Sequence, residues 1–208
     1  LLLDLAPAML GYYFQTKSAR DFLLMGPSGA GYVQAELLPP ETLETYLQRT
    51  REYGMRSDLR AVHTIELLDA RTRAAYAAAL GQRSGKAGFL GVLESYHAPR
   101  RPEEILERLR PQSAGADRKV GSLPFVPLAL HVQPHTDLAS LLRTLAERAT
   151  ARPLFASVLI QCWSRPLEEI APQVAGLDPA TFAVVRGDEF LSTARRWLET
   201  ARPKTGTE

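Results

Sequence analysis

The sequence predicts an α/β protein of alternating β/α units around a mainly parallel, barrel-like sheet. Three observations carry this expectation. Strand-length apolar runs alternate with stretches of helical periodicity along the whole chain. The strand interiors at residues 22–25, 89–93 and 156–160 are nearly continuous apolar runs, as suits strands buried on both faces. The predicted strands start near residues 21, 62, 87, 124, 155 and 182, roughly 32 apart, and a (β/α)₈ barrel uses about 31 residues per unit. A doubly wound open sheet has similar units, so spacing alone does not separate the two architectures.

Each element has its own local signal. Pro7 suits a first helical turn, where its missing N–H costs nothing, and residues 8–17 continue as an apolar, aromatic helix. Residues 21–25 read as a short strand stopped by Gly26-Pro27. A helix from about 40 to 53 puts Leu43, Tyr46, Leu47 and Thr50 on one face, and Gly54 is expected to end it. Residues 62–68 form the second strand, 71–80 an Ala-rich helix closed by Gly81, and 87–93 the third strand. Pro102 opens the next helix, with Glu103 and Glu104 favourable at its positive end, and it stops before Pro111. Residues 112–122 are a polar loop, predicted to be the least ordered stretch. The fourth strand spans 125–132, imperfect at Pro127. A helix over 137–150 buries Leu138, Leu141, Leu142 and Leu145. The fifth and sixth strands, 154–161 and 182–186, are separated by a helix at 166–174, and a helix over 188–200 closes the order. One domain over residues 1–202 and a frayed tail at 203–208 are expected.

Composition narrows the function. The 208 residues are 45% hydrophobic and 23% charged, enough to bury a core. A single cysteine, Cys162, excludes an internal disulfide framework and a Cys-rich zinc site. A net charge of +2 gives no reason to expect nucleic acid as a partner, and no stretch approaches a membrane span. The chain opens at Leu1 without an initiating Met and without the basic region of a signal peptide, which suggests a segment of a longer protein. Cellular location is left open.

In either α/β architecture the working surface lies at the carboxyl ends of the strands. After the first strand comes Gly26-Pro-Ser-Gly-Ala-Gly-Tyr32, the densest glycine cluster. It is not a P-loop, because Tyr32-Val33 stands where Lys and Ser/Thr belong, and Gln34 breaks a dinucleotide fingerprint. A ligand-binding loop using Ser28, Gly29, Gly31 and Tyr32 remains, as does a plain tight turn. The third strand ends in Glu94-Ser-Tyr96-His97, where a carboxylate suits general acid or base work or simply hydrogen-bonds the next loop. The fourth leads into His131-Val-Gln-Pro-His135 and Asp137, a loop metal site or ordinary loop and cap residues, since Pro134 prevents a helical ligand pair. The fifth ends in Gln161-Cys-Trp163-Ser164, where Trp163 could stack on a sugar or pack in the core, and Cys162 reads as buried and inert. The sixth ends in Arg186-Gly187-Asp188-Glu189, helix-capping residues first and acids second.

Asp4-Leu-Ala-Pro7, the Gly26–Tyr32 loop after an Asp-Phe-Leu strand, and Val185-Arg-Gly-Asp-Glu-Phe190 together resemble the C-terminal domain of the GxGYxYP putative glycoside hydrolases. The resemblance covers most of the chain, and the Gly-rich loop is its most specific part. It implies a barrel-like α/β domain, a carbohydrate-directed role, an upstream domain of the same chain as partner, and an extracytoplasmic setting. It also implies an incomplete TIM-like barrel whose first strand precedes Leu1. It carries no established catalytic residue. The sequence departs from the motif at Gln34 and Ala35, where a second Tyr and a Pro are expected, and at Gly187, where Pro is expected.

Three functions fit these residues. A glycoside hydrolase would use two carboxyl groups. Glu94 is one candidate, and Asp188, Glu189 or an upstream residue is the other. Ser28, Gly29, Gly31, Tyr32, Tyr96, His97 and Trp163 would then contact the sugar, with no metal or cofactor. A non-catalytic carbohydrate-binding or scaffold domain of a larger secreted protein is the alternative that Gln34-Ala35 favours. Metal-dependent deacetylation through His131, His135 and Asp137 is the third.

Overall fold

The parallel strands lie side by side in the order in which they occur along the chain. The computed structural model describes residues 2–81, 88–95, 97, 99, 101–109, 119–150, 152–161 and 166–200. Along the chain lie α1 (Leu2–Leu5), α2 (Pro7–Thr16), a 3-10 turn (Ala35–Leu37), α3 (Pro40–Ser57), β1 (Ala61–His63), α4 (Ala70–Leu80) and β2 (Gly91–Glu94). They are followed by α5 (Pro102–Leu109), β3 (Lys119–Val120), β4 (Leu123–Val132), α6 (Leu138–Arg148), β5 (Ser157–Ile160), α7 (Leu167–Ala175) and α8 (Gly187–Thr200). β1 pairs with β2, β2 with β4 and β4 with β5, all parallel, while β3 folds back antiparallel on β4. Met25 adds an isolated parallel bridge to Val62 on the outer side of β1. A doubly wound sheet reverses its strand order at a switch point. The described strands show no reversal, so the four parallel strands curl one way into a half-barrel.

Alternation along the strands decides what covers each face. Met25, Val62, Val92 and Phe125 pack with Leu43 and Leu47 of α3 and with Tyr76 and Leu80 of α4. A register irregularity between Leu128 and Leu130 shifts the later part of β4 by one residue. Leu130 and Val132 therefore join the helix-covered face and pack with Ile105 of α5, Leu138 and Leu145 of α6, and Ile170 of α7. The opposite face, which a closed barrel turns inward, presents Ala61 and Val126, with Leu24 and Leu93 beside them. Leu191 and Ala194 of α8 pack there. Gly91 permits the close approach: a Cβ at this position would lie 2.9 Å from Leu191 Cδ2 and 2.9 Å from Pro124 Cγ. Arg195 of α8 adds two hydrogen bonds, to the carbonyls of Phe89 and Leu90, both 2.9 Å.

Several elements differ from the sequence expectation, each for a physical reason. The run 21–25 contributes only the bridge at Met25. The second strand stops at His63, because Thr64 turns the chain by donating its hydroxyl to the Glu66 carbonyl (2.8 Å). The third strand begins at Gly91 and the fifth at Ser157. α3 runs through Gly54 to Ser57, and Asp58, at φ 56°, ends it. Gly54 serves packing, since a Cβ there would meet Phe89 Cζ at 2.4 Å. Lys119–Val120 forms a short strand rather than part of a loop. The expected sixth strand at 182–186 is not one: the segment pairs with no strand among the described residues, and Val184 is 71% exposed. Arg186 at its end donates to the Ala19 carbonyl, so the segment crosses to the far side of the sheet instead of pairing beside β5. The expectations for residues 112–118 and 203–208 lie outside the described residues. No helix of the described residues is long and apolar enough to cross a membrane.

The seat under α8 is testable. Gly91→Ala is expected to lower unfolding free energy by about 1–3 kcal/mol through overpacking. At this chain length the melting temperature should fall by about 2–4 °C per kcal/mol. An unchanged urea midpoint would show that α8 does not rest on β2.

Candidate functional site

The residue ending the first extended segment and those ending β1 and β2 lie side by side, so their following loops meet. The Ser28 N–H donates to the His63 carbonyl at 2.7 Å, docking the Gly-rich loop onto the end of β1. The Ser28 hydroxyl donates to the Val33 carbonyl (2.6 Å), and the Tyr76 hydroxyl of α4 donates to the Ser28 carbonyl (2.8 Å). α3 takes the next residues. Ala30 N–H donates to Thr50 Oγ1 (3.0 Å), while the Tyr46 hydroxyl donates to the Gly31 carbonyl (2.8 Å) and accepts from the Gly31 N–H (3.3 Å). Gly29 sits at φ +124°, and a Cβ there would lie 2.5 Å from Thr50 Oγ1. The glycines therefore let the loop close on α3. The loop presents Tyr32, whose side chain stands out at 78% exposure.

At the end of β2, Glu94 shares the helix-covered face with Val92, two residues before it. Its carboxylate receives Arg73 of α4 in a bidentate pair, Nε to Oε1 at 2.7 Å and Nη2 to Oε2 at 2.9 Å. Both side chains are buried, Glu94 at 1% exposure. The chain then turns through Ser95 in the left-handed region, at φ 78°. That turn is held on several sides. Ser95 N–H donates to Thr64 Oγ1 (3.4 Å), the Ser95 carbonyl faces His63 Nε2 (3.2 Å), and Ser95 Oγ accepts from the His97 N–H (2.9 Å). Because a carbonyl only accepts, His63 Nε2 carries the proton. Burial pushes the His63 imidazole below its ordinary value, and the Ser95 carbonyl opposes that shift. Arg108 of α5 donates to the His97 carbonyl. His97 thus has a fixed backbone and an exposed side chain.

An open groove of about 670 Å³ lies over these ends, lined by Tyr32, Val33, Gln34, Leu37, Ile65, Glu66 and His97. Within it Gln34 Nε2 donates to Glu66 Oε1 at 3.4 Å, and His97 Nε2 lies 4.0 Å from the same oxygen. A carboxylate, an amide, an imidazole and an aromatic face converge beside an aliphatic wall. The groove thus offers apolar area together with hydrogen-bond partners, the combination found in small-molecule sites.

Of the residues expected from sequence, Tyr32 and His97 line this groove. Ser28, Gly29 and Gly31 build the loop beneath Tyr32, and Glu94 lies below Ser95 and His97 in its ion pair. Asp188 and Glu189 lie elsewhere. Gly187 abuts the Phe22 ring and Arg186 reaches Ala19, at the beginning of the first extended segment and so at the end of the sheet opposite Glu94. The hydrogen-bonded Arg186 guanidinium, 2.6 Å from Asp188, holds that carboxyl below the usual carboxylate range. Tyr96, Cys162 and Trp163 lie outside the described residues. Asp137 caps α6, accepting the Ser140 N–H at 3.0 Å, and among the described residues no three His, Cys, Asp or Glu side chains converge as metal ligands. Glu66 was missed because the strand was expected to continue through Leu68. Its signal was a lone carboxylate inside the apolar run 61–68. Gln34 was visible as the residue standing at the second Tyr of the motif, and that position lines the groove.

The protein is a singly wound α/β half-barrel with an open groove at the carboxyl ends of its strands, the end at which barrel folds carry their sites. More particularly, the chain belongs to the family described as the GxGYxYP putative glycoside hydrolase C-terminal domain, whose family model matches residues 1–195. No curated protein and no solved structure matches the chain.

Two outcomes are expected here. Arg73→Met removes the bidentate partner of a buried carboxylate and should cost about 3–5 kcal/mol in urea unfolding. Pairing it with Glu94→Leu should recover much of that loss. His63 gives a pH signature. Its native value lies below 6.5, so as pH falls through 6.5 the unfolded chain binds a proton that the fold does not. Stability should therefore decline on acidification across that window, and His63→Gln should flatten the slope.

Proposed function

We propose that the groove at the strand ends binds carbohydrate and that this domain serves a glycoside hydrolase, with Glu66 as its acid/base carboxyl. The observation that carries this is the convergence of Tyr32, Gln34, Glu66 and His97 in one open groove. The family description supports the same substrate class. Tyr32 offers a ring face for stacking on a sugar, and its loop is already fixed to α3, so little order is lost on binding. The Gln34 amide and the His97 imidazole would hydrogen-bond sugar hydroxyls. Hydrolysis needs a proton delivered to the leaving oxygen, and Glu66 is the carboxyl in reach of the groove. Glu94 then acts from below as the anchor of the Ser95–His97 turn, and Asp188 and Glu189 serve the first turn of α8. α8 already covers the inner face of the half-barrel, so this function does not depend on closing a TIM-like barrel.

Glu66→Gln should lower hydrolysis by about 10²–10⁴-fold while oligosaccharide binding changes little. Tyr32→Ala should weaken binding roughly tenfold, on the order of 1.4 kcal/mol. Both are measured on a glycan panel by calorimetry and reducing-end release. Binding that needs Tyr32 with no hydrolysis would move the domain to the non-catalytic class. Neither binding nor hydrolysis would overturn the proposal.

A further inference from the structure

The groove supplies one set of chemical groups, and that set fits one class of sugar better than others. Glu66 is the one carboxylate among its described lining, with Gln34 hydrogen-bonded to it at 3.4 Å. Beside them Val33, Leu37 and Ile65 form an aliphatic wall, and Tyr32 gives an aromatic face. Hydrolysis by two protein carboxyl groups places them about 5–10 Å apart across the scissile bond. In a second route the sugar's own 2-acetamido carbonyl is the nucleophile, and the protein contributes an acid and a surface that holds the acetamide. The groove matches this second route group by group. Gln34 gives its N–H to Glu66, which leaves its Oε1 as an acceptor for an acetamide N–H. The aliphatic wall suits an acetyl methyl, for which a sugar with a bare 2-hydroxyl has no counterpart. Glu66 suits the proton transfer.

We propose that the groove takes β-glycosides of 2-acetamido-2-deoxy sugars and that the sugar's acetamide supplies the nucleophile. This deepens the function proposed above and rests on it. The acetamide carbonyl oxygen attacks C1 while the bond from C1 to the leaving oxygen breaks. The Glu66 carboxyl gives its proton to that oxygen, leaving a carboxylate and a bicyclic oxazolinium ion. Water then attacks C1 and loses a proton to Glu66, while the bond from C1 to the acetamide-derived oxygen breaks and its electron pair restores the acetamide, the sugar ring staying closed. One water is consumed, no electrons are exchanged, and the configuration at C1 is retained. Glu66 reacts, whereas Gln34 positions the acetamide.

The test uses the chain as it stands with 4-nitrophenyl β-glycosides of N-acetylglucosamine and N-acetylgalactosamine, their N-trifluoroacetyl analogues, and the matching 2-hydroxyl sugars. The expected result is kcat/KM at least about a hundredfold higher for the N-acetyl sugars than for the 2-hydroxyl ones, since an intramolecular nucleophile gains proximity. A steep fall on fluorination is also expected, because fluorine withdraws electrons from the attacking oxygen. Gln34→Leu should lower kcat for the N-acetyl substrate, with Gln34→Asn partly restoring it. Preference for the N-acetyl sugars without sensitivity to fluorine would overturn the nucleophile assignment. Equal rates on 2-hydroxyl sugars would overturn the substrate class while leaving the glycosidase function standing. No hydrolysis of any of these glycosides would overturn the inference, and failure across a wide glycan panel would remove the glycosidase function as well.

Discussion

The buried pair of Arg73 and Glu94 is the constraint on which the site depends. Each charge alone would be strongly disfavoured at that depth, so β2 and α4 are stable there only with the pair made. The next residue, Ser95, leaves the strand in a left-handed conformation that a serine seldom adopts. Its hydrogen bonds to His63, Thr64 and His97 hold it there. Local strain of this kind persists only where the surroundings over-determine it. Here the ion pair fixes one end of the turn and Arg108 the other, and the product is a His97 backbone that does not wander.

The Gly-rich loop is built on the same principle with a different partner. Its amides at Ala30 and Gly31 are consumed by Thr50 and Tyr46, so the loop does not offer them to a ligand. Glycine allows the loop to close on α3, and the loop in turn fixes where Tyr32 and Gln34 stand. The loop consequently turns the side chains of Tyr32 and Gln34, not these two amides, toward the groove. That differs from phosphate-cradling loops, in which backbone N–H groups do the binding, and it accounts for a glycine cluster without a neighbouring cation.

Much of the architecture was legible because helix starts carry their own chemistry. Pro40, Pro102 and Asp137 lie at or next to the starts of α3, α5 and α6, and these helices begin within a residue of expectation. Strands were less legible at their ends. Ile65 and Leu68 are buried but follow the last paired residue of β1, and an apolar run reports burial, not hydrogen bonding. That overextension hid Glu66. The importance of Glu94 was visible from its place after an apolar run. Its partner was not, because Arg73 lies 21 residues earlier on a helix and no local pattern links the two. The apolar segment 182–186 looked like a strand by composition, yet a strand needs a neighbour, and α8 takes the space on the inner face.

That inner face bears on what kind of barrel relative this is. In a closed barrel, side chains from strands all round the ring fill the interior. Among the described residues α8 takes that place, seated through Gly91 and held by Arg195 against the backbone at Phe89 and Leu90. Covering the face in this way gives the described strands a core on that side. The groove is then bounded by the loops after Met25, β1 and β2, all on one flank of the sheet. A site on one flank is shallow and open, which suits an extended ligand lying across the strand ends better than a small one enclosed in a barrel mouth. The exposed Tyr32 ring fits that geometry, since stacking needs one free face and not a pocket.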